Sequence, residues 1–197
     1  MASGRGMARL ILASASPRRI ELLGSLGLIF DIVPSSADEY VDGRPDPGLL
    51  VETLAKRKAQ AVSAGRPFDV VLGADTVVVL EGEVLGKPKD QEDAKSMLRK
   101  LQGREHEVFT GVCVINAAGG FESSAHEETK VRFLPMSEEE IAGYVDTKEP
   151  LDKAGAYAIQ GLGSLYIEGI TGDYFNVVGL PLRLTARLLK EAGIRVI

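Results

Sequence analysis

A short apolar run, Leu10-Ile11-Leu12-Ala13, leads directly into Ser14-Ala15-Ser16-Pro17-Arg18-Arg19, two serines and two adjacent arginines around a proline. An apolar helical pattern follows at Ile20, Leu22, Leu23 and Leu26. A strand should therefore end here and a helix begin, with Ser16 as its N-cap and Pro17 at its first position. A helix N-terminus has unpaired N–H groups and the positive end of the helix dipole. Two guanidiniums and two hydroxyls at that spot make an anion site suited to phosphate; the plainer alternative is a capped helix with solvated arginines.

Three further positions could join such a site. Asp75 follows the buried-looking run Val70-Val71-Leu72-Gly73-Ala74 and precedes Thr76. A carboxylate at the C-terminal end of a central strand stands where open α/β sheets bind ligands, unless it only caps a turn. Lys87 is held between Gly86 and Pro88, on a turn rather than a helix face. Lys58 shares two helical turns with Lys56 and Arg57, so at least one of the three should be a solvated charge. Glu149–Gly161 interleaves charged groups and glycines without periodicity, as loops do where backbone approaches a ligand closely. Two apparent motifs fail. Gly82–Lys87 is one residue short of a P-loop, with Pro88 where Ser or Thr must hold magnesium. Gly161-Leu162-Gly163 has Tyr166 at the third glycine position of a dinucleotide fingerprint. His106 and His126 lie in polar strand contexts too far apart to suggest zinc, and His106 is a minor candidate for a cleft-lining residue.

Positioning these groups requires strands alternating with helices. Strand character appears at Leu10–Ala13, Ile29–Val33, Val70–Gly73 and Thr76–Leu80, with a helix from Asp46-Pro47 to Gly65 carrying Leu50, Leu54 and Val62 inward. This implies α/β architecture with a mainly parallel core. A helix capped by Asp90 should run to Leu101 and stop at Gly103. His106–Ile115 and Glu127–Leu134 read as an antiparallel hairpin turning through Ala117–Gly120. Ser137–Glu140 is a capping box. Residues 147–173 read as irregular, and Pro181 opens a last amphipathic helix ending near Gly193.

The 197 residues suit one domain that could bend into two lobes around a cleft, with residues 1–6 as a flexible extension ahead of Met7. A net charge of -5 argues against broad nucleic-acid or membrane-surface binding. No apolar run approaches membrane-spanning length. The single cysteine, Cys113, fits a reducing cytoplasm and reads as a buried apolar group.

Taken in order, Ser14–Arg19, Gly73-Ala74-Asp75-Thr76, Leu85-Gly86-Lys87-Pro88, Thr110-Gly111-Val112, Glu149–Gly161 and Asn176–Leu182 resemble the Maf (septum formation inhibitor) family of nucleoside triphosphate pyrophosphatases. The resemblance spans nearly everything from Leu10 to Leu189. It implies an α/β fold like that of inosine triphosphate pyrophosphatases, with an elongated mixed sheet, flanking helices and a cleft between lobes. It also implies a cytoplasmic homodimer, a nucleoside triphosphate substrate and a divalent metal, magnesium or else manganese.

The implied reaction is hydrolysis to the monophosphate and pyrophosphate, with water attacking the α-phosphorus and Asp75 accepting its proton. Such an attack needs neutralised phosphate oxygens, an ordered water and a proton acceptor. Arg18, Arg19, Lys58 and Lys87 supply positive charge, Ser16 can grip oxygens, and Glu39 with Asp75 matches the family's metal-binding acids. The subgroup positions read Arg18, Thr76 and Gln160, the set that resembles enzymes acting on dTTP and UTP rather than 7-methyl-GTP. Clearance of modified nucleotides and restraint of cell division are further family associations. A regulator that binds nucleotide without turnover, and a pyrophosphatase for damaged purine triphosphates, remain as alternatives.

Overall fold

Apolar runs placed side by side generate the sheet. Leu10–Leu12 (β1) pairs in parallel with Phe30–Ile32 (β2) on one side and with Val70–Leu72 on the other. Between β1 and β2 runs Pro17–Ser25 (α1); Pro47–Ser63 (α2) connects β2 to Val70–Leu80 (β3). Glu83–Leu85 (β4) folds back on β3, and Gln91–Leu101 (α3) follows, capped by the Asp90 carboxylate and ended by Gly103 at φ +67°. Glu105–Asn116 (β5) and Phe121–Phe133 (β6) form a long hairpin. The capping-box helix Glu138–Asp146 (α4), the strand Ile167–Thr171 (β7), and helices Tyr174–Val178 (α5) and Leu182–Glu191 (α6) complete the chain. This computed structural model describes residues 9–43 and 45–197. The expected extension at residues 1–6 lies outside the described residues.

The sheet order is β2-β1-β3-β5-β6-β7, with β4 on β3. The expectation of a mainly parallel core is corrected, because among the described residues only the β1 pairs are parallel and every pairing from β3 onward is antiparallel. A second correction concerns β3. The two segments expected around Gly73–Asp75 are one continuous strand of eleven residues, and Asp75 stands in its interior, opposite Gly111. The segment 147–173, read as irregular, contains 3₁₀ turns and also β7.

One face of the sheet is covered by α2, through Val71, Cys113, Ala55 and Ala59. The other carries α1 and α6 over Leu12, Leu72 and Val114 at one end, and α3 and α4 over Val78, Val108 and Phe133 at the other. Two apolar cores thus share one long sheet, with a cleft between them. Helix α2 lies unusually close. A Cβ on Gly73 would strike the Ala55 carbonyl oxygen and come within 2.8 Å of the Ala59 nitrogen, and one on Gly111 would strike the Val51 carbonyl. Only glycine permits that approach.

His106 does not line the cleft. It is fully buried, and its Nε2 is 2.8 Å from the Tyr157 hydroxyl. Cys113 is buried as expected, and desolvation pushes its thiol up to about 11. Burial pushes the His106 imidazole down to about 4. An unfolded histidine titrates near 6.5, so between these values the unfolded chain binds a proton that the folded one refuses. Stability should therefore fall as pH drops from about 6.5 to about 4, by about 3 kcal/mol, and flatten below. Urea unfolding across this range should show that loss in the parent and not in His106→Gln. Equal pH slopes in both proteins would contradict it.

Candidate active site

The cleft opens where, among the described residues, no strand pairs with one edge of β3. β1 pairs with β3 only as far as Leu72, and β4 rejoins it only at Val78. Val70 N–H donates to the Arg9 carbonyl and the Leu72 carbonyl accepts from Ala13 N–H, so even-numbered β3 residues turn their main chain toward β1. The main-chain groups of Ala74 and Thr76 consequently face the gap. Side chains alternate across the sheet, which sends Asp75 to the α2 face and Thr76 to the opposite one. The resulting cavity, about 1290 Å³, is lined by Ser16, Arg18, Arg19, Glu39, Lys58, Asp75, Thr76, Lys87 and Gln160, every site residue drawn from the sequence.

On the α2 face, the close packing at Gly73 and Gly111 delivers Lys58 to Asp75. The Lys58 ammonium donates to Asp75 Oδ1 at 2.6 Å and pairs with Glu39 Oε1 at 2.6 Å. The Lys58 and Asp75 side chains are 14% and 12% exposed, so the pair is largely withdrawn from water and each charge depends on its neighbours for compensation. Lys58, chiefly through its hydrogen bond, holds the Glu39 carboxyl below the usual carboxylate range. The loop bearing Glu39 is fastened to α2 because Arg57 donates to the Tyr40 carbonyl at 2.6 Å. Lys56 pairs with Glu122. Of the three basic residues Lys56 is the solvated one, its side chain 45% exposed and its charge paired only at the surface.

On the other face, Arg19 is anchored by a directional relay. Its Nε donates to the Gly179 carbonyl (2.8 Å) and its Nη2 to Thr76 Oγ1 (2.9 Å). Thr110 Oγ1, 2.9 Å from Thr76 Oγ1, donates to the Asn176 carbonyl. A guanidinium only donates and a carbonyl only accepts. The hydroxyl protons must then run from Thr76 to Thr110 and from Thr110 to Asn176. Asn176 is itself pinned by bonds from its amide to the Val108 carbonyl and to Thr129 Oγ1. Burial lowers the Arg19 pKa and nearby Asp75 opposes that effect; the group remains cationic. Thr76 thus holds Arg19 through an oxygen lone pair and gives its own proton to Thr110.

Ser16 occupies the N-cap position of α1 but makes no capping bond; its own N–H donates to Ser14 Oγ at 3.2 Å. The α1 N-terminus stays open to the cleft. Arg18 lies 3.7 Å from Asp152, whose other oxygen receives the Lys153 ammonium at 2.6 Å. Although burial opposes it, Lys153 holds the Asp152 carboxyl below its usual range. Asp152, Lys153 and Tyr157, part of the Glu149–Gly161 segment expected to approach a ligand but not named individually, also line the cleft. Two opposite charges side by side in the glycine-rich loop were the available signal.

Among the described residues no three His, Cys, Asp or Glu groups converge as a metal cage. Magnesium needs no such cage, since it takes one or two carboxylates and completes its shell with water and phosphate oxygens. Asp75 and Glu39 already converge on one cation, the Lys58 ammonium, so they fit this role.

Cutting the relay tests whether it serves the site. Thr110→Val should cost about 1–3 kcal/mol of stability, because Thr76 and the Asn176 carbonyl lose partners. Binding of inorganic triphosphate, measured by calorimetry, should weaken roughly tenfold as Arg19 loses its fixed position. Unchanged anion binding with a lowered melting temperature would make the relay purely structural.

Residues 9–192 match the family described as Maf-like protein. A Symbiobacterium thermophilum protein named dTTP/UTP pyrophosphatase is 54% identical over 187 residues, covering 95% of this chain and 95% of that protein. A Moorella thermoacetica protein of the same name is 54% identical over 190 residues, covering 96% of this chain and 98% of that one. The Staphylococcus aureus Ham1 protein shares the fold at 14% identity, with a TM-score of 0.50 over 81% of this chain and 79% of that one. The ordered motifs, the fold and the full-length similarity agree, and the chain belongs to the Maf family.

Proposed function

We propose that this chain hydrolyses dTTP and UTP to the nucleoside monophosphate and pyrophosphate. The observation that carries the reading is the Asp75–Lys58–Glu39 cluster at the wall of a cleft lined by Arg18, Arg19 and Lys87. The names of the relatives at 54% identity supply the substrate class. In this reading, Arg19, held rigid by its relay, and the open N-terminus of α1 receive phosphate oxygens without reorganising when charge shifts. Lys87, beside the cleft on its Gly86–Pro88 turn, adds a movable charge. Asp75 takes the proton of the attacking water as oxygen bonds to the α-phosphorus and the bond to the β-phosphate oxygen breaks.

A divalent cation, magnesium or else manganese, held by Asp75 and Glu39, would neutralise phosphate oxygens and lower the pKa of bound water. With such a cation in place, the Lys58 ammonium would be free to pair with phosphate oxygens instead. A pure nucleotide sensor would have no use for a proton acceptor in this place, which favours an enzyme over a regulator. The family resemblance also supports a cytoplasmic homodimer; among the described residues no helix is long and apolar enough to cross a membrane.

Gln160 is assigned to the base. Its amide offers a donor and an acceptor to the O4 and N3–H of uracil or thymine, with Arg18 beside the same cleft. A site built for one donor–acceptor pattern rejects the reversed pattern, because a mismatched base leaves polar groups unpaired. With magnesium, a nucleotide panel should give kcat/KM for dTTP and UTP at least about tenfold above CTP, ATP and GTP. The products should be monophosphate and pyrophosphate, and chelation should abolish turnover. Faster hydrolysis of GTP or 7-methyl-GTP would overturn the pyrimidine assignment.

A further inference from the structure

Gln160 sits in a loop, and an amide is a poor reader of bases unless its backbone is fixed. The loop is held from outside the cleft by one carboxylate and one phenol. The N–H groups of Leu162 and Gly163 donate to Glu149 Oε2 and Oε1, at 3.1 and 3.0 Å. The Tyr144 hydroxyl donates to Glu149 Oε1 at 2.8 Å and accepts the Ala158 N–H at 3.1 Å. Main-chain bonds on both sides of Gln160 therefore end on the Glu149–Tyr144 pair. Gly161, at φ +80°, is the residue between, and a Cβ there would lie 2.5 Å from Glu149 Oε2. The Glu149 carbonyl also receives the Lys153 ammonium at 2.6 Å. Burial disfavours the Glu149 charge, yet the two backbone bonds and the Tyr144 bond hold its carboxyl below the usual range. Neither Glu149 nor Tyr144 lines the cleft.

We propose that Glu149, acting with Tyr144, is the positioning residue that fixes the Gln160 loop and thereby sets the preference for a uracil or thymine edge over a cytosine edge. The proposal rests on the assignment of Gln160 to the base. Glutamine at position 149 offers one acceptor and an NH₂ group, so either Leu162 or Gly163 would face a donor instead of an acceptor. The loop would shift, and a displacement of about 1 Å is enough to spoil a hydrogen-bonded site.

The test is the ratio of kcat/KM for UTP to that for CTP, measured in the parent, Glu149→Gln, Tyr144→Phe, Gln160→Ala and the Glu149→Gln/Gln160→Ala double variant. Glu149→Gln should lower the ratio about tenfold, mainly through a higher KM for UTP, with Tyr144→Phe following in the same direction by a smaller factor. The double variant should match Gln160→Ala, because the carboxylate acts through that side chain. A merely structural Glu149 would depress both nucleotides equally and leave the ratio unchanged, overturning the proposal. If Gln160→Ala itself leaves the ratio unchanged, the base assignment falls and takes the proposal with it. If Gln160→Ala lowers the ratio and Glu149→Gln does not, only the positioning role is lost. Should Glu149→Gln fail to fold, Tyr144→Phe decides by the same criterion.

Discussion

One ammonium group, shared between two carboxylates, organises this molecule. Lys58 meets Asp75 and Glu39 at 2.6 Å each, although the three come from α2, the middle of β3 and the loop before α2. The meeting depends on main-chain contact between α2 and the sheet at Gly73 and Gly111. An alanine at either position would push the helix outward and withdraw Lys58 from Asp75. Packing and chemistry are therefore one constraint here. The two glycines that let α2 settle on the sheet flank Asp75, one two residues earlier on the same strand and one directly across from it.

The gap in β3 pairing makes the second half of the site. Because β1 ends at Leu12, residues from both faces of the sheet reach the same cleft. Asp75 arrives from the α2 face, and Thr76 from the face under α1 and α5. The Arg19–Thr76–Thr110–Asn176 relay ties a cation to the sheet through bonds whose direction is fixed at both ends. Fixed donors at a site of developing charge are worth more than mobile ones, since they need no rearrangement as the reaction proceeds. Glu149 plays the corresponding part for the opposite wall, where it satisfies loop N–H groups that would otherwise seek water.

Features written in local chemistry were legible in the sequence. Ser16-Pro17 marks the turn from β1 to α1, Asp90 caps α3, Ser137 and Glu140 form their capping box, and the β5–β6 hairpin follows its turn residues. Features that depend on distant partners were not. Gly73 reads locally as a strand breaker, but its purpose is contact with Ala55, so β3 seemed to be two segments. His106 in its polar strand context and Thr110 beside Gly111 give no local sign of burial. Both are buried because Tyr157 and Asn176, far along the chain, supply their hydrogen bonds. β7 is short, contains Gly169 and forms only against β6, and no periodicity within it announces that pairing. The residues named from the sequence line one cleft, while the internal bonds that hold Arg19 and the Gln160 loop are visible only in the fold.

In the proposed reaction Asp75 accepts the proton, while most direct substrate contacts fall to Arg18, Arg19, Lys87 and Gln160 and Glu39 shares the cation. Asp75→Asn keeps the side chain's size and leaves Glu39 to pair with Lys58, so the fold and most of the substrate contacts should survive. The decisive measurement sets single-turnover hydrolysis of dTTP by Asp75→Asn beside its equilibrium affinity for the same nucleotide. Losing a general base should lower the rate by ~10²–10⁴ while affinity stays close to that of the parent. A rate near the parent's would contradict the account.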